Sequence, residues 1–225
     1  MEIKILIFDG LTALDAIGPY EVFRSVPGWE VEFVAPRAGE VRTDVGSLGL
    51  TADRAFAEVD SADLVLVPGG RGNRALLDDQ PVLEWLREID RGTKWTTSVC
   101  TGSLVLGAAG LLEGRRATGH WLYLEPLRGF GVEPVVGRFV EDGKYVSAAG
   151  VSAGIDMALH LVGLEVGPEV AQAVQLGIEY DPQPPFDAGH PSKAPEPIVE
   201  LVTSVSRARE PGLAELSERP GAGPS

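Results

Sequence analysis

A single cysteine, Cys100, stands in the run TTSVCTGSLVLGAAGLL, which begins at Thr96. An apolar, strand-like approach leads into it, and a small-residue helical pattern leaves it. That is the placement of a nucleophile elbow, a tight strand-to-helix turn that exposes a reactive atom. Gly102 and Ser103 suit the crowding behind such a turn. A helix beginning just after the cysteine aims free N–H groups and its positive dipole end at the sulfur. A thiol so placed is expected to have a depressed pKa and to be nucleophilic at neutral pH. Buried free cysteines also pack as small hydrophobes, and the elbow pattern alone leaves both readings open.

Two other stretches carry groups that chemistry at a thiol would need. FDGLTALDAIGPYEVF places Asp15 after the first strand-like run, at or just before a helix. Asp is a good N-cap, but loops at one sheet edge converge, and from there a carboxylate can shuttle a proton to and from the cysteine. Asp9 reads as a turn residue before Gly10. LVPGGRGN ends another strand with Gly69 and Gly70. A glycine pair lets backbone approach a ligand and point N–H groups at developing negative charge. The Walker spacing with its Lys-Ser/Thr ending is missing, so the phosphate-loop signal is poor, and an ordinary turn is the alternative. His120, in ATGHW, is a candidate pocket residue and base. His160 reads as structural or partly exposed, and His190 sits in a proline-rich excursion. Three scattered histidines and one cysteine make a poor metal site, and none is assigned.

Positioning these groups falls to a repeating strand–helix pattern. IKILIF, VEFVAP, LVLVPGG and WTTSVC are apolar without strict alternation, as in strands covered on both faces. Between them lie DAIGPYEVFRSV, with Pro19 read as early in its helix, and QPVLEWLREIDRG, bounded by Pro81 and Gly92. The expected fold is α/β: a doubly wound, mostly parallel sheet sandwiched by helices, flavodoxin-like or class I glutamine amidotransferase-like. GEVRTDVGSLGLTADRAF and GRFVEDGKYVSAAG add small β-hairpins, the second turning at Asp142–Gly143. VSAGIDMALHLVGLEVG is a helix with Ser152 as N-cap and Gly167 near its end. Asp156 on it reads as structural. PEVAQAVQLGIEY and PIVELVTSVSRARE are further helices, separated by DPQPPFDAGHPSKAPEP. Residues 1–210 are expected to form one domain, and 211–225 a flexible tail.

Composition narrows the functions. The chain has 225 residues and a formal net charge of −14, with no Lys/Arg cluster, so nucleic-acid binding is not expected. No run approaches the roughly 18 apolar residues that span a bilayer, and MEIKILIFDG lacks the features of a signal peptide. One cysteine excludes an internal disulfide. A cytoplasmic protein is the expectation.

Taken together, FDGLTALDAIGPYEVF, LVLVPGG, SVCTGSLVLGAAGLLEGRRATGHW, AAGVSAGIDMALHL and AQAVQLGIEYDPQPPFDAGHP resemble the ThiJ/PfpI superfamily, and most narrowly its bacterial isocyanide hydratases. The resemblance extends to about Pro191. It implies hydration of R–N≡C to an N-substituted formamide, with Cys100 attacking the terminal carbon and Asp15 carrying protons. It further implies that Thr101 assists through its hydroxyl and backbone N–H, and that Gly70 offers a neighbouring donor. No cofactor is implied, and a homodimer is. Thr101 occupies the place where peptidase-like members carry a histidine, which argues against proteolysis. The alternatives are a cysteine-based redox or stress protein and a non-enzymatic small-ligand-binding module. The latter is disfavoured by the absence of a helix-turn-helix segment after the last helix.

Overall fold

Ile3, Ile5 and Leu6 lose all solvent contact in the strand β1 (Glu2–Leu6), and every residue of β6 (Leu64–Val67) is buried. Both strands are covered on two faces, as their unbroken apolar runs demand. The computed structural model describes residues 1–209, so the expected flexible tail at 211–225 lies outside the described residues. Between β1 and β6 come α1 (Ala13–Phe23), β2 (Glu30–Ala35), β3 (Gly39–Arg42), β4 (Gly49–Ala52) and β5 (Arg54–Ala55). Then follow α2 (Asn73–Leu76), α3 (Gln80–Asp90), β7 (Trp95–Val99), α4 (Gly102–Ala108), β8 (Arg116–Ala117) and β9 (Glu133–Pro134). The hairpin β10 (Phe139–Asp142) and β11 (Tyr145–Ala148) leads into α5 (Ala153–Val166), α6 (Pro168–Gly177) and α7 (Glu196–Arg209).

The main sheet runs in the order β10-β11-β7-β6-β1-β2-β5 and is parallel except where β10 meets β11. It is flanked by helices, with α1 packed on α5 and α5 on α6, while α2, α3 and α4 pack together. The doubly wound α/β reading therefore holds. Of the two hairpins, β10–β11 extends the sheet through β11 and turns at Gly143 (φ 63°), whereas β3–β4 forms its own two-stranded sheet. Because β7 lies beside β6 and β6 beside β1, the loops leaving all three emerge together. That adjacency assembles the site.

Two helices differ locally from the sequence expectation. Pro19 is the seventh residue of α1, because the helix already begins at Ala13. Lacking an N–H, Pro19 cannot donate to the carbonyl four residues back, that of Asp15. Ser152 does not cap α5 with its side chain; its hydroxyl instead accepts from Arg138 Nη2 at 3.1 Å, and Arg138 also pairs with Asp156. Gly167 ends α5 as expected, at φ 97°. The proline-rich stretch between α6 and α7 is irregular, and α7 has no buried residue.

Candidate active site

Cys100 follows β7 directly and takes a backbone φ of 60°. For a residue with a Cβ this left-handed conformation costs about 1–2 kcal/mol, so the surroundings must hold it there. They do so from both sides. Its N–H donates to Ala148 O at 3.1 Å and Ala149 O at 2.9 Å, and its carbonyl accepts from Ser103 Oγ and His120 N, each at 3.3 Å. The turn brings the backbone N–H groups of Thr101 and Val151 onto the sulfur. Val151 is itself at positive φ, 28°, and nothing in its residue type announced that role.

The depressed thiol pKa expected from the elbow is not found. Burial, and then the negative charge of Asp15, push the Cys100 thiol well above its ordinary value. The two N–H groups at the sulfur act in the opposite direction and lose. Cys100 is 6% exposed, and desolvation of a thiolate outweighs a helix end and two backbone donors. The resting sulfur is a thiol.

Asp15, in the first turn of α1, has no solvent exposure. Its Oδ2 accepts from Gly69 N at 2.8 Å, while Oδ1 finds no well-aligned partner. Burial raises its pKa from 3.8 to about 7, against the lowering effects of the Gly69 N–H and of the Cys100 thiol that faces it. A carboxyl at that value exchanges its proton at neutral pH, beside the only sulfur able to use it. Gly69 makes the approach possible: a Cβ there would stand 2.7 Å from Asp15 Oδ2 and 2.8 Å from Cys100 Cβ.

Thr101 and Gly70 meet, but not as a free pair of donors. Gly70 N donates to Thr101 Oγ1 at 3.0 Å, and Asn73 Nδ2 donates to the same oxygen at 2.9 Å. Gly70, at φ 134°, is pressed so close to Gly10 O that a Cβ would lie 2.4 Å away. Asn73 opens α2, is 3% exposed and was not singled out from the sequence, where GGRGN reads as loop.

Cys100, Thr101, Gly70 and His120 line one pocket of about 160 Å³, with Thr12, Asp44, Arg71, Leu122, Tyr123, Val151 and Ser206 completing its wall. It is smaller than the ~300–1,000 Å³ cavities that take drug-sized ligands. His120 sits at its edge; burial lowers its pKa, and its Nδ1 accepts from Leu122 N at 3.4 Å. A neutral imidazole is thus available at neutral pH. Of the other residues weighed, Asp9 accepts from Arg42 N at 2.9 Å, and His160 pairs with Glu141 at 2.9 Å. His190 contacts Ser192. All three are away from the thiol. Phe23 and Trp85 are core residues. Among the described residues no cluster of His, Cys, Asp and Glu could hold a metal.

Residues 1–164 match the DJ-1/PfpI family. The chain belongs to that family. It is 41% identical over 222 residues to the isonitrile hydratase of Pseudomonas putida, spanning 99% of this chain and 97% of the relative. It superposes on a ThiJ/PfpI family protein from Pseudomonas syringae with a TM-score of 0.92 at 34% identity, covering 96% of this chain and 90% of that one. A more distant relative is the deglycase TK1284 of Thermococcus kodakarensis, 29% identical over 152 residues, 66% of this chain and 89% of the relative. The similarity to the hydratase supports an enzyme of this family.

Proposed function

We propose that the protein is a cofactor-independent hydro-lyase that converts small organic isocyanides to N-substituted formamides. The observation that carries this reading is the pairing of a strained, buried thiol with a buried carboxyl whose pKa is about 7. Near-full-length similarity to an isonitrile hydratase supports the choice of substrate. The thiol, being protonated at rest, gives its proton to Asp15 as Sγ attacks the terminal carbon. Asp15 passes that proton to the same carbon, leaving R–N=CH–S–Cys100. Asp15 then takes a proton from water as the oxygen adds to this carbon and hands it to nitrogen, giving R–NH–CH(OH)–S–Cys100. Asp15 next takes the hydroxyl proton as the C–S bond breaks, releasing R–NH–CHO, and returns that proton to sulfur. Atoms balance as isocyanide plus water, and neither metal nor organic cofactor is needed. Thr101 and the Gly69–Gly70 loop orient the reacting groups, and His120 borders the substrate.

The test supplies para-nitrophenyl isocyanide to wild type, Cys100→Ala and Asp15→Asn and follows formamide. Turnover by wild type alone is expected. Silence of wild type across several isocyanides, with ready oxidation of Cys100, would instead favour a redox protein.

A cytoplasmic homodimer is part of the same proposal. The lone free cysteine suits a reducing compartment, and no described helix is long and apolar enough to cross a membrane. Ile198, Leu201, Val202 and Val205 form an exposed apolar stripe on α7, which a second copy would cover. Sedimentation equilibrium at micromolar protein should give twice the monomer mass; a monomer would refute the assembly.

A further inference from the structure

We infer that Asn73 is a positioning residue that turns the Thr101 hydroxyl into a proton-donating group facing the pocket. A hydroxyl has one hydrogen to donate and two lone pairs. Both lone pairs of Thr101 Oγ1 are occupied by N–H donors, Gly70 N at 3.0 Å and Asn73 Nδ2 at 2.9 Å. The orientation of the Asn73 amide is fixed by Pro68 O, which lies 3.4 Å from the same Nδ2 and can only accept. Turning the amide over would set two oxygens against each other. With both acceptor directions filled, the Thr101 O–H points away from them, and the open side of Thr101 is the pocket it shares with Cys100. Two donors on one oxygen also polarise its remaining O–H.

The arrangement relocates a group that the glycine pair suggested. Gly70 N–H is spent on Thr101 Oγ1, so the donor reaching the substrate is the Thr101 hydroxyl. Its use rests on the isocyanide reading: nitrogen in R–N≡C has no free lone pair and gains one as sulfur bonds to carbon. A fixed O–H facing that nitrogen binds the transition state more strongly than the substrate. The buried Oδ1 of Asn73, which has no partner, is consistent with an amide held for what its nitrogen does.

Two measurements decide it. A neutron structure of the deuterium-exchanged wild type should place the Thr101 hydroxyl deuteron toward the pocket; a deuteron on the Asn73 or Gly70 side overturns the inference whatever the enzyme turns over. Kinetics with para-nitrophenyl isocyanide then compare Asn73→Asp, which would accept from Thr101 and turn its O–H away, with Thr101→Val and the double variant. Expected are kcat losses of about 100-fold in each single variant, KM within about threefold, and no further loss in the double. Losses that multiply in the double, or an unchanged kcat in Asn73→Asp, overturn it. If wild type makes no formamide while the deuteron faces the pocket, the hydratase reading fails and the hydroxyl assignment stands.

Discussion

Two buried carboxylates, Asp90 from α3 and Asp15 from α1, stand near opposite ends of strand β7 and are treated in opposite ways. At its start, Asp90 is 7% exposed and its oxygens are fully engaged: Thr96 Oγ1 donates at 2.6 Å, Tyr145 Oη at 3.1 Å, and Lys144 Nζ lies 3.0 Å away. Thr93 Oγ1 joins the network at 2.8 Å from Thr96 Oγ1. At the other end, Asp15 has no exposure, one good hydrogen bond and an unpartnered oxygen. A satisfied carboxylate with a cation beside it stitches elements together. One buried and left short of partners keeps its proton up to a pH of about 7. The under-partnered end is where the strained cysteine sits.

Exchanging Asp15 for Asn should lower kcat/KM for isocyanide by roughly 100- to 10,000-fold, the worth of a positioned acid–base group. The same change should stabilise the fold at pH 8. The folded pKa of about 7 lies above the unfolded 3.8, so the stability this group contributes is full below pH 4 and is lost as pH rises toward 7. Ionising it in place costs at most roughly 4 kcal/mol, and Asn avoids that. Thermal unfolding at pH 5 and pH 8 measures it; a variant that is inactive and less stable at pH 8 would make Asp15 structural.

Asp90→Asn should do the reverse. Stability falls by about 2–3 kcal/mol as charge-assisted hydrogen bonds are lost, while kcat per folded molecule stays within about twofold. Chemical denaturation and active-site titration separate the two. The pH profile sharpens the comparison further: because Asp15 must be ionised to accept the thiol proton, kcat/KM should climb about tenfold per pH unit below 7 and level off above it. A plateau reaching down to pH 5 would remove Asp15 from that role. The smallest effect is at the elbow, where Cys100→Gly should stabilise by about 1 kcal/mol through relief of the positive φ.

Much of this was legible in the residues. Unbroken apolar runs marked β1, β2, β6 and β7, and the change of pattern at Cys100 marked the elbow. Asp15, Gly69, Gly70 and Thr101 do come together with the thiol, because their loops leave the neighbouring strands β1, β6 and β7; His120 arrives after β8, in a separate two-stranded sheet, and is tied to Cys100 O by its own N–H. Burial was not legible. The charge state of Cys100 depends on how deeply the turn is covered, which no local pattern encodes, and that burial outweighs the helix dipole. Asn73 and Val151 act through one amide and one backbone N–H, and such roles exist only once the chain is folded. The apolar pattern is clear only from Asp15, whereas α1 starts two residues earlier, which puts Pro19 in the helix interior.

The proposed chemistry turns on the proton held by Asp15. A carbon-13 NMR titration of its carboxyl, in wild type and in Cys100→Ala, reads that proton directly. The wild-type midpoint should lie near 7, and it should rise when the thiol that favours the ionised carboxylate is removed. A midpoint near 4, indifferent to the cysteine, would contradict the coupled pair.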